Sequence, residues 1–402
     1  MSASIFDAGA FPACPAPFNM ARHTFEAGRA TPDKVALEVV RAPGQVSETW
    51  THGALREAVT RTAGGLAALG LGRGDRVLLR LGNVSDFPIL FFAANALGAV
   101  PTPVSGQLTE HELAVVAADL APRLVCFSAG FAPVAGIPAI GPAEIAALRN
   151  APAANFAETM PDDPAFMVYT SGTSGRPKGV VLAQRAAWAR RMMWEGWYGL
   201  GPEDRVLHAG AFNWTFTLGA GLTDPWARGA SAILYAGPPD RAVWPKLAAA
   251  HGATIFAGVP GVYRQMLDTD LGGFAALRHG LSAGEALPSA VARAWREATG
   301  KPLYEALGMS EVSTYISFAP GSPPVPGRAG RPQPGRRVAI LADEGEARVP
   351  RGTPGLLAVS RRDPGLMLGY WRRPEETAAA FRGEWFVTGD RAILHADDTI
   401  EY

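Results

Sequence analysis

A run of glycines, hydroxyl side chains and one lysine lies at residues 169–179, between two apolar stretches. Glycines let a backbone approach a ligand closely, so that its N–H groups can face phosphate oxygens. Hydroxyls add further donors, and a lysine adds a full positive charge. The residues of this run that could bind a nucleotide are Thr170, Ser171, Gly172, Thr173, Ser174, Gly175 and Lys178. The composition therefore predicts a loop that holds phosphate groups.

The loop differs from the common GxxxxGK(S/T) phosphate loop at two positions. Pro177 stands where that pattern needs a glycine, and Gly179 stands where it needs Ser or Thr. An apolar run at residues 180–182 follows, so the loop leads into a predicted strand and not into a helix. A flexible Ser/Gly linker is the alternative interpretation. Because linkers seldom carry Pro-Lys-Gly between two apolar strands, the phosphate-binding interpretation is favoured.

The loop resembles the signature of the superfamily that contains acyl-CoA synthetases, peptide-synthetase adenylation domains and luciferases. In that superfamily a Ser/Thr/Gly loop ending in Pro-Lys-Gly grips the phosphates of ATP. Further segments resemble the family's other signatures in the same order along the chain, at residues 254–263, 282–288, 305–311 and 384–390. The resemblance covers the chain from about residue 20 and implies an enzyme that converts a carboxylic acid into an acyl-AMP.

The same resemblance assigns the contacts to adenine and ribose. They fall on Gly284, Glu285, Ala286, Glu305, Leu307 and Asp390. Relatives have an aromatic residue that stacks on adenine at the position of Leu307, so that contact should be weaker here. Asp390 would grip the ribose hydroxyls, a task that suits a carboxylate because it accepts hydrogen bonds.

The resemblance also implies a catalytic set. Ser310 would direct its hydroxyl at the α-phosphate, and Lys178 would neutralise the phosphates. Glu311, together with Thr170, would hold Mg²⁺, an ion that prefers oxygen ligands and bridges ATP phosphates. The catalytic residues are thus expected to be Lys178, Ser310 and Glu311, and the cofactors ATP, Mg²⁺ and coenzyme A as co-substrate.

The acid-binding pocket is expected around residues 208–215, where the family places its gate. The predicted substrate contacts are Phe212, Asn213, Gly258, Gly284, Gly308 and Met309. In amino-acid-activating relatives an aspartate at the position of Asn213 pairs with the substrate's ammonium group. A neutral amide cannot do so, and an unpaired buried ammonium is costly. The segment resembles benzoate-type ligases, which implies an aromatic, compact cyclic or medium-chain acid; for Trp214 and Phe216, plain core packing is an equal alternative.

The implied reaction has two steps, in which the carboxylate attacks the α-phosphorus of ATP and the coenzyme A thiolate then attacks the acyl-AMP. Two alternatives stay open: an adenylation domain that loads an aryl acid onto a carrier protein, and a non-catalytic nucleotide-binding module. In relatives the segment that matches residues 397–402 leads into a mobile C-terminal domain with a further catalytic lysine. We expect that domain to be missing from this chain, which should bind ATP and acid but catalyse weakly alone.

The elements that must position these residues alternate between strand and helix from about residue 50 to 310. Apolar runs such as 124–127 and 232–235 predict strands, and Thr51 can cap a helix that ends before Gly70. Such alternation implies crossover units and a mainly parallel sheet. A proline-rich segment at residues 320–334 then leads to short strands typical of a smaller antiparallel unit.

We therefore predict an α/β fold with the architecture of the large N-terminal domain of an adenylate-forming enzyme. Two layered, mainly parallel βα subdomains are expected. The first spans residues 1–180 and ends in the phosphate loop, and the second spans residues 181–320 and carries the acid and adenine pocket. A smaller antiparallel, β-barrel-like subdomain is expected at residues 321–402.

The composition of the chain indicates which partners and which cellular location to expect. The 37 basic and 37 acidic residues balance, so no global field would attract nucleic acid or a membrane. Two isolated cysteines and no signal peptide favour a cytoplasmic protein. The apolar run at residues 87–104 contains prolines and Gly98, which predicts a buried helix and a strand instead of a membrane span. The expected partners are a small carboxylic acid and coenzyme A, and a homodimer is the assembly considered.

Three histidines, His52, His208 and His251, have no partners at metal-ligand spacing. We predict that each is a satisfied structural histidine.

Overall fold

The computed structural model describes residues 2–171 and 177–402, with the backbone alone for Ser171. In chain order the strands are β1 (Ile5–Asp7), β2 (Val35–Ala42), β3 (Gln45–Thr51), β4 (Arg76–Arg80), β5 (Val100–Pro103), β6 (Leu124–Phe127), β7 (Ala139–Ile140), β8 (Pro164–Ser171), β9 (Pro177–Ala183), β10 (Arg205–Ala209), β11 (Ser231–Tyr235), β12 (Ile255–Gly258), β13 (His279–Ala283), β14 (Leu303–Met309), β15 (Ser313–Ser317), β16 (Arg331–Pro332), β17 (Arg337–Leu341), β18 (Gly355–Ser360), β19 (Gly369–Tyr370), β20 (Phe381–Arg382), β21 (Trp385–Leu394) and β22 (Ile400–Glu401).

The helices are α1 (Met20–Glu26), α2 (His52–Ala68), α3 (Asp86–Ala96), α4 (Glu110–Leu120), α5 (Pro142–Leu148), α6 (Arg185–Ala189), α7 (Arg191–Met193), α8 (Thr215–Leu218), α9 (Asp224–Ala227), α10 (Val243–His251), α11 (Pro260–Met266), α12 (Ser289–Thr299) and α13 (Pro374–Ala379). Short 3-10 turns lie at Ala27–Ala30 and Gly272–Phe274, and π turns at Trp194–Tyr198 and Gly219–Thr223.

The largest sheet has nine strands in the order β16-β15-β14-β13-β12-β10-β11-β2-β3. Its central strands from β14 to β2 are parallel, and the edge strands pair antiparallel. Parallel neighbours need crossover connections, which α10, α11 and α12 supply between β11 and β14. The buried rings of Phe256, Tyr263 and Trp295 pack edge to face between these helices and the sheet. This core fixes the carboxyl ends of the central strands.

A second, four-stranded parallel sheet has the order β5-β4-β6-β7. Helix α3, which packs against α2, is buried from Phe87 to Ala96, because nearly all its side chains are apolar. Strand β5 follows it, so the prediction of a buried helix and then a strand is confirmed. Among the described residues, no helix is both long and apolar enough to cross a membrane.

The predicted phosphate loop connects the two strands of an antiparallel hairpin, β8 and β9, and β19 pairs with the other edge of β9. The loop therefore leads into a strand, as predicted. Four of the predicted contacts, Gly172, Thr173, Ser174 and Gly175, lie outside the described residues.

The last sheet is antiparallel, with the order β1-β17-β18-β21-β20 and β22 on β21. It confirms the predicted antiparallel unit in the last part of the chain. The division at residues 180 and 320 stays a prediction. Sheets combine strands from both sides of these boundaries: β2 and β3 belong to the nine-stranded sheet, and β1 belongs to the antiparallel one.

Candidate active site

The carboxyl ends of neighbouring parallel strands bring predicted acid and adenine residues to one edge of the nine-stranded sheet. Ala209, at the end of β10, pairs with Gly258 at the end of β12. Ala283, at the end of β13, pairs with Ala306 of β14, and Gly284 follows directly. Ligands of open α/β sheets bind outside the carboxyl ends of the strands. The fold therefore places these residues where such a sheet binds a small molecule.

Hydrogen bonds fix the glycine-rich turn at this edge. Gly284 has a φ of +99°, a conformation that side chains disfavour. The Oε1 atom of Glu285 accepts a hydrogen bond of 3.2 Å from the Gly261 N–H, which ties the turn to the start of α11. The Oε1 atom of Glu305 accepts one of 2.7 Å from the Leu287 N–H. The turn predicted to pack against adenine is thus held from both sides by carboxylates.

The environment of Glu305 suits a side chain that forms hydrogen bonds with adenine. Burial raises the pKa of its carboxyl to about 7, although the bond from the Leu287 N–H opposes this shift. Glu305 also lines a cavity of about 470 Å³ together with Leu287, Tyr402 and the proline-rich segment. That volume lies in the range of small-molecule pockets.

Asp390 approaches the same region from the antiparallel sheet. The Asp390 N–H donates to the Thr388 hydroxyl at 3.2 Å across Gly389, whose φ is +89°. Burial raises the pKa of the Asp390 carboxyl, and a separate hydrogen bond between this carboxyl and the Thr388 side chain opposes the shift. Burial and the negative charges of Glu305 and Asp390 raise the pKa of Tyr402 to about 12. Glu305 and Asp390, the carboxylates predicted to contact adenine and ribose, therefore both lie close enough to Tyr402 to raise the pKa of its hydroxyl.

Lys178 is the second residue of β9, directly after the phosphate loop. It pairs with Thr170 across the hairpin, so both predicted phosphate ligands flank the loop. The Lys178 Nζ atom lies 2.5 Å from Glu376 Oε2 and 5.2 Å from the centre of the Tyr370 ring. A carboxylate from α13 therefore neutralises the charge of Lys178.

Glu311 follows β14 and is largely buried. Its Oε1 atom accepts a hydrogen bond of 2.9 Å from the Tyr370 hydroxyl, and it forms no ion pair with any residue of the described part. A buried carboxylate without a cation fits a metal ligand, and Mg²⁺ in nucleotide sites commonly takes one or two carboxylates plus phosphate oxygens. Among the described residues, no three His, Cys, Asp or Glu side chains cluster as a metal site would require.

Tyr370 connects the two predicted phosphate-side residues. Its hydroxyl donates to Glu311 and its ring lies beside Lys178. Burial and the negative charges of Glu311 and Glu376 raise the pKa of that hydroxyl. Tyr370, Glu376 and Tyr402 were missed by sequence reasoning. Tyr370 and Glu376 flank Pro374, a first-turn residue of α13, but that signal gives no hint of a contact with residue 178.

The end of β14 carries the remaining phosphate and acid predictions. A β-carbon at Gly308 would lie 2.6 Å from the Thr314 Cα atom, so the hairpin backbone itself requires glycine there. Met309 and Ser310 are partly exposed. Ser310 lines a small cavity together with Arg190, whose guanidinium is held by a buried ion pair with Asp224. The predicted roles of Gly308, Met309 and Ser310 stay predictions.

The segment predicted to gate the acid pocket has mixed surroundings. Phe212 stacks on Phe87 at 4.8 Å and belongs to the core. Asn213 is partly exposed, and Trp214 is 57% exposed, so core packing is wrong for Trp214. Phe216 packs edge-on against His208 at 4.5 Å. The segment is anchored by Asn83, whose amide donates to the Gly210 carbonyl at 3.0 Å.

The prediction of satisfied histidines holds for one of the three. His251 bonds to Glu38 at 3.2 Å and to the Gly44 N–H at 3.2 Å. His52 and His208 are buried, and both ring nitrogens of each have no hydrogen-bond partner within the described structure. The prediction is therefore wrong for His208. For His52 it stays a prediction, because a hydrogen bond with the Gly229 backbone opposes the lowering of its pKa by burial.

The sequence profile of AMP-binding enzymes matches residues 24–371. The chain belongs to the AMP-binding enzyme family. The 3-hydroxybenzoate–CoA ligase of Aromatoleum sp. (strain CIB) is 32% identical over 370 residues, a match that covers 86% of this chain and 70% of that protein. The benzoate–CoA ligase of Thauera aromatica is 32% identical over 381 residues, covering 88% of this chain and 71% of that protein.

Solved structures agree with this assignment. The crystal structure of the anthranilate CoA ligase AuaEII in complex with anthranoyl-AMP superposes with a TM-score of 0.86 at 25% identity. The match covers 96% of this chain and 77% of that one. The predicted resemblance, fold class and ligase class are confirmed, as is the set of ATP, Mg²⁺ and coenzyme A for AMP-binding CoA ligases.

Proposed function

We propose that this AMP-binding enzyme is an aromatic carboxylate–CoA ligase that works through an acyl-AMP. The observation that carries the proposal is the convergence of two carboxylates, Glu305 and Asp390, beside the carboxyl edge of the parallel sheet. Lys178 and Glu311, linked through Tyr370, supply the phosphate side. Relatives named for benzoate and 3-hydroxybenzoate support the aromatic class.

In the first step a carboxylate oxygen of the acid forms a bond to the α-phosphorus of ATP. The bond from that phosphorus to the bridging oxygen breaks, and pyrophosphate leaves. Protein assistance for such a transfer consists mainly of positioning and charge stabilisation. Lys178 would exchange Glu376 for phosphate oxygens, and the Ser310 hydroxyl would donate to the α-phosphate. Mg²⁺, when bound to Glu311 and Thr170, would supply further neutralisation of phosphate charge.

In the second step the thiolate of coenzyme A attacks the acyl carbon, and AMP leaves. The AMP carries the pair of electrons from the broken acyl–oxygen bond. Glu305 and Asp390 would keep adenine and ribose in place through both steps.

The choice of acid is proposed from the side chain at the gate. Asn213 is neutral, so it cannot compensate the ammonium of an amino acid. An acid whose body is apolar and flat needs no such charge. The role of Asn213 and the aromatic class of the acid are thus parts of this proposal. We also propose a cytoplasmic location and a homodimeric assembly.

The test is an ATP–pyrophosphate exchange screen of the protein with benzoate, hydroxybenzoates, cyclohexanecarboxylate, hexanoate and phenylalanine. Exchange that depends on an aromatic acid, followed by thioester formation with coenzyme A, is the expected result. Exchange driven best by phenylalanine would contradict the proposed acid class. Transfer only to a carrier-protein thiol would contradict the proposed acceptor.

A further inference from the structure

A cavity of about 400 Å³ lies at the end of the nine-stranded sheet opposite the candidate active site. Two of the residues that line it, Leu200 and Arg228, come shortly before the first residues of the parallel strands β10 and β11. The predicted acid and adenine residues instead lie at the carboxyl ends of the strands. A five-residue strand such as β10 separates its two ends by on the order of 15 Å. The cavity is therefore a separate place in the fold, and its volume lies in the range of small-molecule pockets.

Two arginines line this cavity, and aromatic rings hold both of them in place. The guanidinium carbon of Arg191 lies 4.0 Å from the centre of the Trp188 ring and 5.7 Å from that of the Trp194 ring. The guanidinium carbon of Arg228 lies 5.0 Å from the centre of the Trp194 ring, and its Nε atom donates to the Leu200 carbonyl at 3.2 Å. Contacts between a cation and an aromatic face orient a guanidinium without neutralising its charge. Two oriented positive charges therefore lie beside one tryptophan.

Neither guanidinium has a carboxylate partner among the described residues, although both arginines are partly buried. The side chain of Arg191 also forms no hydrogen bond within that part of the chain. A charge that is partly withdrawn from water needs an opposite charge or hydrogen-bond partners to compensate the lost hydration. One acidic residue, Glu195, lines the cavity, but it is exposed and forms no ion pair with either arginine. The cavity therefore offers two positive charges that an anion could neutralise.

Much of the remaining wall is apolar. Phe11 and Pro12 come from the N-terminal segment, which is fixed because the Trp188 indole N–H donates to the Pro12 carbonyl at 2.8 Å. Met192 and Leu200 line the cavity as well. Apolar walls with a few convergent polar groups are typical of small-molecule pockets. Guanidinium groups match the oxygens of phosphate, and a phosphate monoester carries close to two negative charges at neutral pH. Its charge thus balances that of the two arginines.

We infer that Arg191 and Arg228 bind a phosphate group in this cavity, either as free phosphate or as the phosphate of a monoester. The inference does not depend on the proposed function, because the cavity lies at the other end of the strands. The alternative is that both arginines only pack against Trp194. In that case their replacement would change the stability of the fold, and no phosphate would bind beside them.

The experiment is calorimetric titration of the protein with inorganic phosphate, phenyl phosphate and benzoate at constant ionic strength. Wild type should show a saturable phosphate site; tighter binding of phenyl phosphate would identify a monoester as the ligand, and equal binding would identify free phosphate. Arg191→Gln and Arg228→Gln should each weaken binding roughly tenfold, the effect of a hydrogen bond to a charged group. Arg191→Lys should restore only part of the affinity, since lysine keeps the charge but lacks the planar fork. Glu195→Gln should tighten binding, because it removes a negative charge from the cavity wall.

Arg56→Gln is the matched control, because Arg56 also lies over an aromatic ring, that of Phe156 at 5.6 Å, but does not line this cavity. It should leave phosphate affinity unchanged. Lys178→Gln should leave it unchanged too, as should saturation with benzoyl sulfamoyl-adenosine, a stable mimic of benzoyl-AMP, since both concern the active site.

Absence of phosphate binding by wild type would overturn the inference, as would unchanged affinity in folded Arg191→Gln and Arg228→Gln. Loss of phosphate binding in Lys178→Gln would also overturn it, because the phosphate would then bind at the phosphate loop. Benzoate that binds as tightly as phenyl phosphate, and loses its binding in Arg191→Gln, would show that the ligand is a carboxylate and would contradict the proposed class.

Discussion

Replacing Glu376 by glutamine should tighten the binding of ATP. The Lys178 Nζ atom lies 2.5 Å from the Glu376 carboxylate, and the side chains are 20% and 41% exposed. Lys178 must leave this partner to reach the phosphates, so the free energy of the ion pair is subtracted from that of ATP binding. Pairs with this degree of exposure contribute up to about 1 kcal/mol, which corresponds to roughly fivefold tighter binding. Arg373, 3.5 Å from the other oxygen, would lose this partner as well.

The assay is calorimetric titration of wild type and Glu376→Gln with ATP and with adenosine. Adenosine affinity should not change, because adenosine has no phosphates, and the gain for ATP should shrink as salt screens the charges. Glu375→Gln is the control, since it removes the same charge one residue away and Glu375 forms no ion pair with a described residue. Weaker ATP binding by Glu376→Gln would refute the reasoning, because Glu376 would then hold Lys178 in its productive position. An equal gain in Glu375→Gln would refute it too, since the effect would be that of net charge alone.

Two further predictions concern pH and the acid. The pKa of Glu305 is raised from 4.5 to about 7 by burial, so its contribution to the free energy of unfolding is lost as pH rises through that interval. When the pH is raised from 4.5 to above 7, the free energy of unfolding measured in urea should therefore fall less for Glu305→Gln than for wild type. Equal falls in the two proteins would show that Glu305 is not the responsible group. Asn213→Asp should reduce exchange with benzoate far more than it reduces ATP affinity, because two carboxylates would repel in a poorly solvated pocket. Unchanged benzoate exchange would mean that Asn213 does not line the acid pocket.

Local patterns were sufficient to predict much of the fold. The helix that begins at His52 was predicted from its cap and apolar spacing, and the Thr51 hydroxyl does accept from the Ala54 N–H. The strands on both sides of the phosphate loop were predicted because apolar runs flank it, but their antiparallel pairing was not. These features depend on neighbours in sequence, so a single chain reveals them.

Contacts between distant segments were not predictable in the same way. Lys178 meets Glu376 and Tyr370 because β19 pairs with β9 across nearly 190 residues of sequence, and nothing local encodes that pairing. Gly308 was predicted as a substrate contact, whereas the structure gives it a backbone reason as well. Both ring nitrogens of His208 lack hydrogen-bond partners because no described residue around them places a donor or an acceptor within reach. Such an absence becomes visible only when the packing is known.

The central claim is that the sheet edge and Asp390 together bind an aroyl-adenylate. The most direct measurement is the affinity of the protein for benzoyl sulfamoyl-adenosine, compared with the phenylalanyl form and with ATP, in wild type and Asp390→Asn. The account predicts that a benzoyl or hydroxybenzoyl form binds more tightly than either of the others, since it joins the acid and nucleotide contacts in one molecule. Asp390→Asn should weaken this binding by roughly 1–3 kcal/mol through lost ribose hydrogen bonds. A folded protein that shows no binding of any aroyl form, or that prefers the phenylalanyl form, would contradict the claim.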